Sequence, residues 1–166
     1  MTRAILILFL AQTWLSAQPI PKFEDYPAGP IYRGKPAPPK LVSPRARMYR
    51  TTIRDASSAG PLFAGHVAVA KWGCGSSCGC LALIDTINGT VYDAPFSILS
   101  FGYGIGLLFE GNLHPGDVDP VSFQLNSRLL IVRGCPEDAN CASYFYEWTG
   151  RGIKLIRKIP ATMKNE

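Results

Sequence analysis

Two stretches of the sequence repeat one pattern of cysteines, glycines and apolar runs at an offset of 61 residues. Each copy contains an apolar run, a loop bounded by two cysteines, a second apolar run, a glycine turn and a third run. The identical positions are Gly73-Cys74 with Gly134-Cys135, Cys80 with Cys141, and Gly89 with Gly150. The repeat predicts a mainly β fold of two three-stranded antiparallel meanders, arranged like propeller blades or as the two halves of a sandwich.

The apolar runs place the strands. Residues 66–72 alternate, with Val67 and Val69 on one face and Ala68, Ala70 and Trp72 on the other. Further strands are expected at 81–84, 91–96, 129–132, 142–148 and 153–159. Asn88-Gly89 and Thr149-Gly150 are typical of tight turns. The Gly/Pro-rich stretch 102–120 predicts a loop with one short strand near 105–109.

Five cysteines leave one thiol unpaired in a monomer. The repeat predicts two equivalent disulfides, Cys74–Cys80 and Cys135–Cys141, each worth about 2 kcal/mol by loop closure. Spacing alone also permits Cys74–Cys78, so the odd thiol of the first loop is either Cys78 or Cys80.

Residues 1–17 have the pattern of a signal peptide. Arg3 precedes a short apolar run at 4–11, and small Ala17 suits cleavage. That run is shorter than the roughly 20 residues that span a bilayer, and no later segment resembles a membrane span. We therefore expect an exported protein, periplasmic or secreted, without stable membrane insertion, in a compartment that permits disulfides.

Residues 18–43 are rich in proline and predict an extended arm of polyproline type, either docked through its aromatic residues or disordered. Ser43-Pro44 predicts a helix start, and Gly60-Pro61 a stop, for one helix over about 44–58. The expected organisation is a single β-rich domain over 44–160 with this leading helix, followed by a polar tail at 161–166.

The net charge of +5, or +4 once Arg3 is removed with the signal peptide, is too mild to indicate a nucleic-acid partner. A protein or envelope component is the expected partner, with no cofactor. Three surfaces are candidates for binding it: a basic helix face, the long loop 97–119 with its aromatic residues, and the cysteine-bounded loop 74–80. The residues concerned are Arg45, Arg47, Arg50 and Arg54 on the helix, and Tyr103 and Phe109 in the long loop.

Several short motifs resemble those of a family of small uncharacterised exported bacterial proteins, over roughly residues 41–157. They are Phe63-Ala64-Gly65-His66, Trp72-Gly73-Cys74-Gly75 with Cys78, Asp85, Val91-Tyr92, Asn126-Ser127-Arg128-Leu129-Leu130 and Tyr146-Glu147-Trp148. The resemblance implies no activity. It implies a Cys74–Cys78 disulfide, with Cys80 and the Cys135/Cys141 pair as additions, which conflicts with the pairing that the repeat predicts.

Three kinds of chemistry are alternatives to structural roles for the histidine, cysteine and acidic residues. His66 could activate Cys78 or Cys80 as a nucleophile, with Asp85 as the orienting acid. The same histidine with Cys74, Cys78 and Cys80 could bind zinc, although the spacing lacks paired Cys-x2-Cys knuckles. A calcium loop could use Glu110, Asp117 and Asp119.

An oxidising compartment favours disulfides over thiolates and metal ligation, and acidic residues in a Gly-rich stretch are commonly solvated turns. The sequence therefore favours a non-enzymatic exported β domain that binds another macromolecule, as a periplasmic inhibitor, an immunity-like binder or an envelope accessory protein. The alternatives are a thiol- and histidine-dependent enzyme centred on His66, and a small metal-binding protein.

Overall fold

The computed structural model describes residues 19–75, 78–94, 99–100, 107–113, 119–135 and 140–163. The predicted signal peptide and Tyr103 lie outside these ranges. The helices are α1 (Pro44–Met48) and α2 (Arg50–Ala59). The strands are β1 (Val67–Gly75), β2 (Cys78–Asp85), β3 (Val91–Asp93), β4 (Leu99–Ser100), β5 (Leu107–Leu108), β6 (Val121–Phe123), β7 (Leu129–Gly134), β8 (Ala142–Trp148), β9 (Ile153–Pro160) and β10 (Thr162–Met163).

The protein is mainly β, as the sequence predicts, and both meanders are present. In the first sheet β2 pairs with β1 on one side and with both β3 and β4 on the other. The second sheet has the order β6-β7-β8-β9. All of these pairs are antiparallel, so each copy of the repeat folds as a meander of its own.

The two sheets share one core, which corresponds to the sandwich arrangement. Alternating residues of each strand face this core, as the pleat requires. The first sheet contributes Val67, Val69, Leu81 and Leu83, and the second contributes Leu130, Val132, Tyr144, Tyr146 and Trp148. The aromatic run of β8 is therefore part of the core.

The outer face of the first sheet is covered by the helices. Ala68 and Ala70 of β1 pack against Ile53 of α2 and Ala46 of α1. The predicted division of β1 into two faces is confirmed, because its valines and its alanines lie in different clusters. Small alanines on this strand let α2 approach the sheet closely.

The predicted single helix is divided into two. Ser43 caps α1 as expected, since its Oγ accepts a hydrogen bond from the backbone N–H of Ala46 at 3.0 Å. Tyr49 then leaves helical geometry, with φ −102° and ψ 28°, before α2 begins. Its ring stacks on the indole of Trp72 with centroids 4.5 Å apart. The break therefore coincides with a contact to the sheet, and the helix-forming pattern of this segment does not indicate it.

The proline-rich arm is docked along the body. Its backbone N–H groups at Ala28, Tyr32, Ala37 and Lys40 donate to carbonyls of the body, over distances of 2.7–2.9 Å. Phe23 and Tyr26 of the arm cover the outer face of the second sheet. Of the two alternatives predicted for the arm, docked or disordered, the structure shows the docked arm.

Three strand pairings are not among those that the sequence predicts. β4 pairs with the start of β2 in the first sheet. β6 adds an edge strand to the second sheet, directly after the Gly/Pro-rich stretch. Thr162 and Met163, in the expected polar tail, pair with Leu108 and Leu107. The short strand expected near 105–109 is present as β5, but its partner lies more than 50 residues away along the chain.

Candidate functional site

A β-bulge where β1 ends and β2 begins positions three cysteines. Trp72 pairs with Cys80 and Gly73 with Gly79, and after the register shift Gly75 pairs with Cys78. Cys74 is the extra residue of the bulge. It therefore lies opposite the stretch of β2 that carries both Cys78 and Cys80.

Cys74 forms a disulfide with Cys80, with a Cα–Cα distance of 5.9 Å, and Cys78 is a free, partly buried thiol. A second disulfide joins Cys135 and Cys141 at the equivalent place in the second meander. Both pairings agree with the repeat. The Cys74–Cys78 bond that the family resemblance implies is not formed, since Cys74 is bonded to Cys80 and Cys78 is a free thiol.

An open groove lies on the helix side of this disulfide. Its volume is about 310 Å³, and it is lined by Pro44, Arg45, Met48, Tyr49, Trp72, Cys74 and Cys80. We call it the Trp72 groove. Met48 is 72% exposed beside the stacked Tyr49–Trp72 pair, so a large apolar side chain faces solvent next to an aromatic floor.

The charge around the Trp72 groove is basic. Arg45 lines it, and no acidic residue does so within the described part of the chain. Arg47 is used structurally, because its Nη2 donates to the Val42 carbonyl at 2.6 Å and its Nε to that of Leu41. The predicted basic helix face is thus divided: Arg47 holds the end of the arm, Arg45 is half-buried at the groove, and Arg50 and Arg54 are exposed.

A second cavity of about 280 Å³ includes Cys78, Gly79, Cys80 and Leu81 of β2 in its lining. Lys71 closes one side, where its Nζ lies 3.5 Å from a carboxylate oxygen of Asp119 and 5.1 Å from the centre of the Phe123 ring. Trp72 and Cys80 line both cavities, so the two meet at the disulfide.

The candidate catalytic residues of the alternative enzyme hypothesis are not brought together. His66 precedes β1 beside Asp85, at one end of the hairpin, and Cys78 lies at the other end. Seven residues of strand separate Asp85 from Cys78, which corresponds to roughly 23 Å. Asp85 instead closes the β2–β3 turn by accepting from the Ile87 N–H at 2.8 Å and from Asn88 Nδ2 at 2.7 Å.

Neither alternative metal site is assembled in the part of the chain that the structure describes. Cys74 and Cys80 are oxidised, and His66 lies at the opposite end of the hairpin. Glu110 is paired with Arg133, Asp119 with Lys71, and Asp117 lies outside the described residues. Among the residues that the structure describes, no three His, Cys, Asp or Glu side chains come close enough to hold a metal ion.

Phe109 is buried, with 5% of its surface exposed, so its predicted role in a binding surface is wrong. The segment that follows it brings Glu110 onto the outer face of the second sheet. There Glu110 Oε1 accepts from Nε and Nη2 of Arg133, while Oε2 accepts from the Ser143 hydroxyl. Arg133 also donates to the carbonyl of Asp119 and to Ser122. Sequence inspection missed this buried network.

One motif of the family resemblance, residues 72–75 with Cys78, lies at the Trp72 groove, whereas the motifs at 63–66, 126–130 and 146–148 meet at the opposite end of the sandwich. The Ala64 N–H donates to the Ser127 carbonyl at 3.1 Å, and the ring of His66 lies edge-on to Trp148 at 6.1 Å. The Ser127 hydroxyl lies 2.8 Å from the carbonyl of Phe23 and 3.0 Å from that of Tyr26. These motifs join the two sheets and hold the arm, which is a structural role.

No described helix is both long and apolar enough to cross a membrane. No family model matches the chain, and neither a curated protein nor a solved structure matches it. The family resemblance therefore stays a prediction.

Proposed function

We propose that this chain is an exported β domain that binds another protein through the Trp72 groove, and that the bound element is an extended peptide segment with an apolar side chain and nearby acidic residues. The exposure of Met48 beside the stacked Tyr49–Trp72 pair carries the proposal. Aromatic and methionine side chains are enriched at the centres of protein interfaces.

The surroundings of the groove support a preorganised site. The disulfide fixes the strand end that forms one wall, and α1 is held by its Ser43 cap and by Arg47. A rigid wall lowers the ordering cost of binding. Val42, next to α1, is 73% exposed and extends the apolar surface.

The preference for an acidic partner follows from charge. Arg45 lines the groove, and Arg50 and Arg54 extend the positive surface along α2. Complementary charges raise the association rate and exclude basic partners. The apolar lining excludes a purely electrostatic mode, since it is dominated by Pro44, Met48, Tyr49 and Trp72.

Export is supported by the signal-peptide pattern and by the two disulfides, which persist in oxidising compartments. N-terminal sequencing of protein recovered from the periplasm or medium tests it. A start at Gln18 is expected, and recovery of the uncut chain from the cytoplasm alone would contradict export.

The binding proposal is tested by selecting a displayed random-peptide library on the full mature chain. Enriched peptides are then synthesised with a fluorophore and titrated by anisotropy. We expect peptides that combine a large apolar residue with Asp or Glu. Met48→Asp and Arg45→Glu should each weaken their binding at least about tenfold, as for residues at an interface centre.

Leu155→Asp and Lys154→Glu are the matched controls, because they change an exposed apolar residue and a basic residue on β9. Peptide binding should be unchanged in both. Failure to enrich any peptide, or enriched peptides that bind the groove variants and the wild type equally, would refute the proposed function.

A further inference from the structure

The bulge gives Cys74 two cysteine neighbours on the opposite strand. Cys78 and Cys80 are two residues apart on β2, so their side chains project from the same face of the sheet. Gly75, the residue after Cys74, pairs directly with Cys78. A Cβ at Gly75 would lie 3.8 Å from the Cys78 Cβ and 3.9 Å from its Sγ, so no side chain separates the thiol from the bulge.

We propose that Cys78 exchanges with the Cys74–Cys80 disulfide within the chain, so that this loop interconverts between two pairings. The Cys78 thiol first gives its proton to solvent. Its thiolate attacks Cys74 Sγ, forming the Cys74–Cys78 bond as the Cys74–Cys80 bond breaks. Cys80 leaves as a thiolate and takes a proton from solvent. The number of disulfides and thiols is unchanged, so no oxidant or reductant is required.

The backbone suits both pairings. Cys74 and Cys80 have Cα atoms 5.9 Å apart. Cys74 is also next to Gly75, which is directly opposed to Cys78, and directly opposed residues have Cα atoms about 4.5–5.5 Å apart, a spacing within the range that disulfides span. As the extra residue of a bulge, Cys74 lies between the pairs Gly73–Gly79 and Gly75–Cys78, and its Sγ is bonded to that of Cys80. A modest rotation of its side chain therefore changes its neighbour from Cys80 to Cys78.

The second meander provides an internal comparison. Its disulfide, Cys135–Cys141, has the same separation of six residues as Cys74–Cys80. The position equivalent to Cys78 is occupied by Ala139, so this loop contains no attacking thiol. Exchange is therefore expected in the first loop and not in the second.

Exchange changes the surface that the two cavities share. Cys80 pairs directly with Trp72 and lines both of them. In the alternative pairing Cys80 becomes a free thiol at the wall of the Trp72 groove, and Cys78 becomes oxidised. The inference concerns the cysteines alone and does not depend on what the groove binds.

The test is a map of the free thiol in the native mature chain. The protein is held at about pH 8.5, where an ordinary thiol is half ionised, and is labelled with excess N-ethylmaleimide. It is then denatured, reduced and treated with iodoacetamide. Chymotryptic peptides that cover residues 73–81 are sequenced by mass spectrometry, which places the first label on one cysteine.

We expect two labelled species, a major one on Cys78 and a second one on Cys80, in proportions independent of protein concentration. Label on Cys78 alone would refute the proposal, as would a Cys80 fraction that rises with protein concentration, since that indicates exchange between molecules. Cys135 and Cys141 should carry no maleimide.

A variant gives an independent readout. Cys80→Ser leaves Cys74 and Cys78 as the only cysteines of the first loop, and we expect them to form a disulfide during oxidative folding. Two maleimide-reactive thiols at these positions would count against the proposal. The wild-type map decides the question whether or not this variant folds.

Discussion

Arg133 and Glu110 form an ion pair that is buried on both sides, with Arg133 Nη2 2.6 Å from Glu110 Oε1 and side chains 8% and 7% exposed. Replacing Glu110 by alanine leaves the guanidinium buried without its counter-ion. We expect the free energy of unfolding to fall by about 3–5 kcal/mol, the range for breaking a buried pair on one side. Urea denaturation followed by tryptophan fluorescence measures it.

Glu147→Ala is the matched control. Glu147 pairs with Arg128 at the same N–O distance of 2.6 Å, but these side chains are 25% and 41% exposed. An exposed pair contributes about 0–1 kcal/mol. Equal losses of stability in the two variants would show that burial does not determine how much the Glu110–Arg133 pair contributes to the free energy of unfolding.

The parts of the fold that depend on residues close together along the chain can be predicted from the sequence. The two hairpins, their disulfides and the two faces of β1 follow from alternation and from a repeated spacing. The turn at Asn88-Gly89 follows from the backbone that glycine permits, and Gly89 has φ +77°. These features need no information about distant residues.

The features that were missed depend on long-range contacts. Glu110 meets Arg133 only once the segment after β5 crosses the second sheet, and Ser127 contacts Phe23 across 104 residues of chain. The Trp72 groove was missed for the same reason, since it combines α1 with β1 and β2. Its signals in the sequence are Arg45 on the predicted basic helix face and the cysteines of the loop 74–80, which all contribute to its lining or border it.

Ser127→Ala should loosen the arm. The Ser127 hydroxyl lies within hydrogen-bond distance of the carbonyls of Phe23 and Tyr26, and its oxygen accepts from the Leu129 N–H. Removing a buried hydroxyl leaves these groups without their partner, at a cost of about 1–3 kcal/mol. We expect faster tryptic cleavage at Lys22, measured by mass spectrometry of timed digests.

Ser58→Ala is the control for this variant, because the Ser58 hydroxyl donates to the Asp55 carbonyl in an exposed place. Its digestion should match that of the wild type. If Ser127→Ala is cut no faster than Ser58→Ala, other contacts suffice to hold the arm.

Gly89→Ala and Gly150→Ala separate steric contact from backbone conformation at equivalent positions of the repeat. Both glycines have positive φ, +77° and +84°, so either alanine is strained by about 1–2 kcal/mol. A Cβ at Gly150 meets nothing within 4 Å, whereas one at Gly89 would overlap the Pro38 carbonyl oxygen of the arm. We expect Gly89→Ala to lose clearly more stability in urea denaturation. Similar losses would indicate that the arm moves away freely.

Tyr146 should make the fold sensitive to alkali. Its phenol faces the core between the sheets, where burial first and the neighbouring Tyr144 second raise its pKa from 10.0 to about 12. The unfolded chain thus loses this proton at lower pH than the folded chain. The stability contributed by the protonated phenol is present in full below pH 10 and is lost as the pH rises towards 12.

We expect the free energy of unfolding of the wild type to decline between pH 10 and pH 12. That of Tyr146→Phe should decline less steeply over the same interval. The slopes are compared because the substitution also changes packing at every pH. Cys78 is blocked with maleimide first, so that alkaline thiol exchange does not contribute. Spectrophotometric titration of the folded proteins should show one late-ionising phenol in the wild type that the variant lacks. Identical titration curves and slopes would mean that ionisation of Tyr146 does not destabilise the folded state.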